Sequence, residues 1–374
     1  MTRKGIHLLG VGSIGTLLAH HIRLSSPSIP LTLLVRSPRD FPEKIKVIRD
    51  GKSSNSSGYT VESSLGNESS KDPISSLVIT TKTTQTLQAI EPLIPRLSNK
   101  STIALLQNGM GVYQELTSNF FQNEQTRPQF ILGTTPHGVS PNSKCGGRGN
   151  ILHHVSEGQG FIKWGLVNDD SKQIGNQTVE NWLFNEQNDI KNEDLDKVLI
   201  PKDREDLVNL KNTIMILTNM KGLNSKFILY NELNKELLLK LVINACNNPI
   251  TAILGRGYLK NGITLSNEYG QDIVNLIIKE SSEILLKYLE LTQKGIDTKA
   301  FEYDQLKKLV YDTILFNSNN ISSMAVDVLQ KRQTEIDYIN GYLIKLGEEL
   351  GCKSDVNRLI VNMVKFIEET QKDQ

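Results

Sequence analysis

The sequence predicts two domains of different class: an α/β domain with a parallel sheet, then an all-helical domain. Three observations predict this. Short apolar segments alternate with helical or polar stretches up to about residue 231, a glycine cluster joins the first strand to the first helix, and from Leu233 to the end the apolar spacing is helical. The chain has 374 residues, and single cores usually stop growing at about 250 to 300 residues. The expected domains are 1–231 and 232–374.

Lysine and arginine number 42 against 41 acidic residues, a net charge of +1. Such a balance supplies no field to attract nucleic acid or an anionic membrane. Cys145, Cys246 and Cys352 are far apart and form no Cys-x-x-Cys pair, so neither a disulfide framework nor a metal site is expected. No apolar run is expected to approach the roughly 20 residues of a bilayer span, and the first residues pass straight into a strand. A protein of the cytoplasm is expected.

Taken in order, Gly5–Leu9 reads as the first strand and Thr16–Arg23 as a helix. Between them Gly10-Val11-Gly12-Ser13-Ile14-Gly15 has the Gly-x-Gly-x-x-Gly spacing. Gly10 permits the turn, Gly12 lets a pyrophosphate approach the backbone, and Gly15 lets helix and strand pack, so a Rossmann-type dinucleotide-binding unit is expected. A second strand, Leu31–Arg36, ends where such folds read the adenosine ribose. Arg36 and Arg39 stand there with no carboxylate at the position of Arg36, which favours NADPH over NADH; both arginines would otherwise be solvated loop charges.

Residues 51–70, rich in serine and glycine, suggest a mobile or hairpin-like excursion. A third strand, Leu77–Thr80, leads to Lys82 and Gln85 at the ligand edge of the sheet, and Ser101–Leu106 leads to Gln107-Asn108-Gly109. Lys82 and Gln85 are candidates for the cofactor, and Asn108 for the nicotinamide or substrate, against the plainer readings of a solvated lysine and an Asn-Gly turn. Further strands are expected at 130–133, 149–155 and 160–165. His137 is expected to shape a loop, and His153 and His154 to be ordinary strand residues. The acidic, asparagine-rich stretch 168–206 suggests a solvated surface insertion. A helix near 204–220 and a strand near 225–229 close the domain.

The helical domain opens on the most informative segment. Lys240, Asn244 and Asn248 follow i, i+4, i+8 spacing and form one polar stripe on an otherwise apolar helix. Either the stripe lines a cavity for a polar ligand, or the lysine snorkels to water from a half-exposed helix. Near the end, Ser322, Ser323, Asp327, Thr334, Glu335, Asp337 and Asn340 crowd into one segment, suited either to helix caps or to the wall of a pocket.

The glycine motif, Lys82 with Gln85, Gln107-Asn108-Gly109, the Lys240…Asn244…Asn248-Pro249-Ile250-Thr251 run, and the Ser322-Ser323-Met324…Thr334-Glu335-Ile336-Asp337…Asn340-Gly341 block occur in one order along nearly the whole chain. In this the sequence resembles the ketopantoate reductases. The resemblance implies a Rossmann domain followed by a helical domain, with the active site in the cleft between them. It also implies NADPH-dependent reduction of 2-dehydropantoate to pantoate, towards pantothenate and coenzyme A. By position, Lys240 looks like the general acid, and Glu335 the partner of the substrate hydroxyl. Asn244, Asn248 and Ser323 look like substrate ligands, and Asn108 a residue placed between cofactor and substrate. Gly10, Val11, Gly12, Ser13, Ile14, Gly15, Arg36, Lys82 and Gln85 look like cofactor contacts. A small 2-keto acid is thus the expected partner, with the protein a monomer or homodimer.

The residue types suit this chemistry. Hydride delivered to a ketone carbon builds negative charge on oxygen, which an ammonium both stabilises and protonates. The chain departs from compact relatives mainly at 51–70 and 168–206, away from the matched residues. Reduction of another small 2-keto acid by the same machinery, or a non-catalytic dinucleotide-binding role, are the competing readings.

Overall fold

A computed structural model describes residues 5–65, 70–142, 148–169, 171–184, 192–201, 203–255, 260–292 and 297–372. Contacts divide the chain into two compact units, Met1–Gln107 with Val112–Leu233, and Asn108–Gly111 with Asn234–Gln374.

The first unit contains β1 (Ile6–Leu9), α1 (Ser13–Ser25), β2 (Leu31–Val35), β3 (Lys44–Arg49), β4 (Lys52–Ser57), β5 (Thr60–Ser63), β6 (Ser76–Ile79), α2 (Thr86–Ile90) and β7 (Thr102–Leu105). It continues with α3 (Val112–Asn119), β8 (Gln129–Thr134), β9 (Val139–Pro141), β10 (Asn150–His153), β11 (Ile162–Leu166), β12 (Gln173–Ile174) and β13 (Gln177–Thr178). Then follow α4 (Val179–Phe184), α5 (Asn192–Lys197), α6 (Glu205–Thr218) and β14 (Ser225–Phe227).

The main sheet has the order β14-β11-β8-β7-β6-β1-β2-β5. From β5 to β8 every neighbouring pair is parallel, while β11 runs antiparallel to β8. Strands β2, β6 and β7 are buried along their whole length. This explains why they appear in the sequence as mostly apolar runs rather than alternating ones. A smaller sheet has the order β4-β3-β10-β9.

Of the two segments set apart by composition, one meets its expectation and one departs from it. Residues 51–65 of the serine-rich stretch bear out the hairpin-like reading: β4 pairs with β3 through a tight turn in which Asp50 and Gly51 take φ of 50° and 73°, and β5 adds a parallel edge strand to the main sheet. The acidic stretch is not simply solvated. It forms a two-stranded ribbon, α4 and α5, whose Val179, Leu183, Phe184 and Leu195 enter the core of the first unit. Four apolar side chains, each stabilising by about 1.5 to 3 kcal/mol when buried, outweigh the polar average of the composition.

The second unit is helical: α7 (Tyr230–Leu254), whose first four residues lie in the first unit, α8 (Glu268–Thr292), α9 (Tyr303–Phe316), α10 (Ser323–Leu329), α11 (Asn340–Leu350) and α12 (Asp355–Lys372). Leu238, Leu241, Val242, Ala245 and Cys246 of α7 join one core with residues of the other helices. By length and composition α7 reaches what a bilayer span requires, contrary to the expectation that no run is long enough, yet most of its apolar window is buried as in a core helix. Helix α11 stops at Gly351, which takes the left-handed conformation (φ 66°) that favours glycine, and Cys352 N–H closes the end on Gly347 O at 2.8 Å. Cys246 and Cys352 are free thiols, and Cys145 lies outside the described residues.

Candidate active site

The three motif glycines do different work. Gly10 takes φ +88°, and a Cβ there would lie 2.4 Å from Thr81 N. A Cβ on Gly15 would lie 2.5 Å from Gly10 O. These two are required by the turn and by the packing of α1 on the sheet. A Cβ on Gly12, in contrast, would meet nothing within 4 Å. The missing side chain of Gly12 therefore leaves open space above the start of α1, where backbone amides face outward and no carboxylate stands in the first turn. A phosphate group fits this cradle.

The neighbouring strand ends carry the other expected cofactor contacts. Arg36, exposed after β2, donates from Nη2 to Gln85 Oε1 at 3.3 Å, so the two meet. Lys82 is half-buried at the end of β6. Behind it Gln107 Nε2 donates to Thr81 O at 2.8 Å and to Thr86 Oγ1 at 2.6 Å. The ends of β6 and β7 are thereby tied together, a task that the sequence pattern did not assign to Gln107.

Asn108 belongs to the second unit, one residue beyond Gln107. Its short segment is pinned there: Met110 N–H donates to Tyr338 O at 2.8 Å, and a Cβ on Gly109, at φ +79°, would lie 2.5 Å from that same oxygen. Lys240 keeps partial solvent access in an apolar setting. Burial holds its pKa down to about 8, and the nearby Glu335 carboxylate opposes the shift. Glu335 is itself 7% exposed. Asn244 and Asn248 continue the Lys240 face of α7, both partly buried.

Ser323 is exposed in the first turn of α10, and its neighbour Ser322 is the cap. Ala325 N–H donates to Ser322 Oγ at 3.1 Å, and Ser322 Oγ lies 2.7 Å from Thr251 Oγ1 on α7. Thr251 also donates to Asn248 O at 2.9 Å. Two of the expected substrate ligands, Asn248 and Ser323, thus sit on backbone linked by one hydroxyl pair.

Two family models match the chain, both described as ketopantoate reductase: one over residues 6–169, and a C-terminal one over residues 232–368. The chain belongs to the ketopantoate reductase family. A Schizosaccharomyces pombe protein named probable 2-dehydropantoate 2-reductase is 28% identical over 370 residues, covering 96% of this chain and 95% of its own. The 2-dehydropantoate 2-reductase of Saccharomyces cerevisiae is 28% identical over 397 residues, covering 96% and 93%. Among solved structures, a D-mandelate dehydrogenase with NADH and anilino(oxo)acetate shares the fold, with a TM-score of 0.67 at 16% identity over 98% of this chain and 99% of that one.

Other polar residues of this ketopantoate reductase family member are held by partners of their own. Asp327, 2% exposed, accepts from Arg332 Nη2 at 2.8 Å, and Thr334 N–H donates to Glu368 Oε1 at 2.7 Å. Asp337 pairs with Lys365 at 2.6 Å. A short 3-10 turn, Ile336–Tyr338, precedes α11, which begins at Asn340. Among the described residues no group of three or more His, Cys, Asp or Glu is placed to hold a metal ion.

His153 is no ordinary strand residue. His137 Nε2 lies 3.2 Å from Leu223 O and so carries the proton it donates there, which leaves His137 Nδ1 to accept from His153 Nε2–H at 3.0 Å. Both rings are then neutral, and burial pushes the pKa of His137 down and that of His153 to about 3. His20 and His21 stack edge to face nearby, brought by burial to about 4 and about 3. His137 does shape its loop, but as one of a buried set.

Glu180, from the acidic stretch, is 4% exposed and accepts from Tyr230 N–H at 2.7 Å. Tyr230 is the first residue of α7, whose opening amides lack helical partners. Burial raises the Glu180 pKa to about 7. Nothing in the sequence separates this glutamate from its solvated neighbours, because its partner lies 50 residues onward.

Proposed function

We propose that this protein reduces 2-dehydropantoate to (R)-pantoate with NADPH, a step towards pantothenate and coenzyme A, with Lys240 as general acid. The observation that carries this reading is the Lys240 ammonium, held near a pKa of about 8 beside a buried Glu335 on a helix that also presents Asn244 and Asn248. Family membership supports the substrate. The open space at Gly12, the amides of α1 and Arg36 fit the phosphates of a dinucleotide.

NADPH, when bound, supplies the hydride. Gly10–Gly15 would hold its pyrophosphate, Arg36 would donate to the 2′-phosphate, and Lys82 and Gln85 would add further cofactor contacts. Asn244, Asn248 and Ser323 bind the keto acid, and Glu335 accepts from its hydroxyl. As the ketone oxygen gains charge, Lys240 stabilises it and gives up a proton; the lowered pKa makes that transfer easier while Glu335 keeps the amine charged near neutral pH. Asn108 lies at the point where the chain leaves β7 and orients the reacting groups.

The test is NADPH oxidation by purified protein with 2-dehydropantoate, beside a panel of other 2-keto acids and NADH. Turnover with 2-dehydropantoate and preference for NADPH are expected. Turnover confined to another keto acid would replace the substrate, and none with any acid would leave only dinucleotide binding.

A further inference from the structure

Pro249 stands in the interior of α7, which continues unbroken to Leu254. Proline has no N–H, so the carbonyl four residues earlier, Ala245 O, loses the partner that a regular helix would give it. Ala245 is 0% exposed. Water is therefore a poor substitute, and an unsatisfied carbonyl there is costly.

The structure supplies another donor. Asn340, at the start of α11 and 0% exposed, donates from Nδ2 to Ala245 O at 3.2 Å and to Asn357 Oδ1 at 3.0 Å. Asn357 Nδ2 in turn donates to Glu280 Oε2 at 2.8 Å, and the Glu280 carboxylate also accepts the N–H groups of Val356 and Asn357 at 2.8 and 3.0 Å. Four helices, α7, α11, α12 and α8, are thus joined by one chain of hydrogen bonds that ends on the gap. Both N–H bonds of Asn340 are used, whereas its buried Oδ1 has no partner. Donation is what the site requires of this side chain.

We propose that Asn340 is a positioning residue for the reaction: its carboxamide replaces the amide missing at Pro249 and holds the turn of α7 from which Asn248 projects, relative to Lys240 and Asn244. The inference rests on the reading of Lys240, Asn244 and Asn248 as the acid and substrate ligands. A regular helix would keep these three in one straight row. With the bond from position 249 to position 245 absent, the turn at 246–248 has one backbone tie fewer, and an outside donor supplies it. Asn340 is a capable donor because a neutral amide serves without placing a further charge near Lys240 and Glu335.

A double-mutant cycle tests this. Asn340→Ala and Pro249→Ala are made singly and together, and kcat, the KM of the keto acid, the KM of NADPH and the thermal midpoint are measured. In the Pro249 background Asn340→Ala should lower kcat/KM for the keto acid by about tenfold, the effect of one lost buried hydrogen bond, with the KM of NADPH within about twofold of wild type. In the Pro249→Ala background the missing N–H is restored, so the same substitution should then cost no more than about twofold. An equal loss in both backgrounds, or a KM for NADPH that rises as far as that of the keto acid, overturns the proposal. If Asn340→Ala does not fold alone, recovery of folded protein on adding Pro249→Ala supports it and failure to recover overturns it. A wild-type protein without turnover would refute the functional reading instead, and the cycle is then read from thermal midpoints alone.

Discussion

The two units bury polar groups of opposite kinds. All six histidines of the chain lie in the first unit and none in the second. The first unit gathers His20, His21, His137 and His153 as neutral rings, whereas the second links its helices through Asn340, Asn357 and Thr251 with Ser322. An imidazole changes charge as pH falls, while an amide or hydroxyl does not. In the second unit the amide and hydroxyl links keep one charge state, although the same network ends on the Glu280 carboxylate. The four buried imidazoles therefore place acid sensitivity in the first unit.

Several measurements would break or sharpen that contrast. The largest effect should come from Lys240→Ala, which is expected to lower kcat by about two orders of magnitude or more. A near-normal rate in this variant would remove Lys240 from the reaction. Gly12→Val should weaken NADPH binding by at least about tenfold, because its side chain would fill the space a pyrophosphate needs. The fold should survive it, since a Cβ at that position would meet nothing within 4 Å; a Kd equal to wild type would place the cofactor elsewhere.

The pH dependence of the rate is a third test. With Lys240 held near a pKa of about 8, kcat for reduction should be flat below that value and fall about tenfold per pH unit above it, as the donor loses its proton. A profile flat to pH 10 would contradict this. Stability should behave differently. Folded-state pKa values of about 3 to 4 at His20, His21 and His153 lie below the unfolded value of 6.5. The unfolded chain then binds more protons between these limits, so stability is full above pH about 6.5 and declines as pH falls towards the folded values, each ring contributing up to about 1.4 kcal/mol per pH unit. Urea unfolding at pH 7, 6 and 5 reads this, and His153→Gln should flatten the slope. The smallest effect belongs to Arg36→Ala, expected to raise the KM of NADPH by several-fold and that of NADH by less than about twofold, because the loss is confined to one exposed phosphate contact.

The parallel sheet, the glycine turn and the helical second half were legible in the sequence because each depends on local spacing. The Lys240 stripe was legible for the same reason: one helix carries all three side chains. What escaped depends on contacts between distant segments. Gln107, Glu180 and Asn340 look like ordinary loop, insertion and cap residues until Thr86, Tyr230 and Ala245 are brought beside them. Average composition also misled. In 168–206 the polar majority concealed Val179, Leu183, Phe184 and Leu195, which are few but spaced to bury together. The histidine pair failed for a related reason, since β10 brings His153 to His137 only through the small second sheet.

The bond between Glu180 and the first amide of α7 has a practical consequence. Anyone shortening this enzyme to a minimal reductase would begin with the acidic stretch, judging it to be decoration. Cutting there removes the carboxylate that meets the first amide of α7, so a trimmed protein would keep every residue of its motifs and still lose the bond that closes the start of that helix.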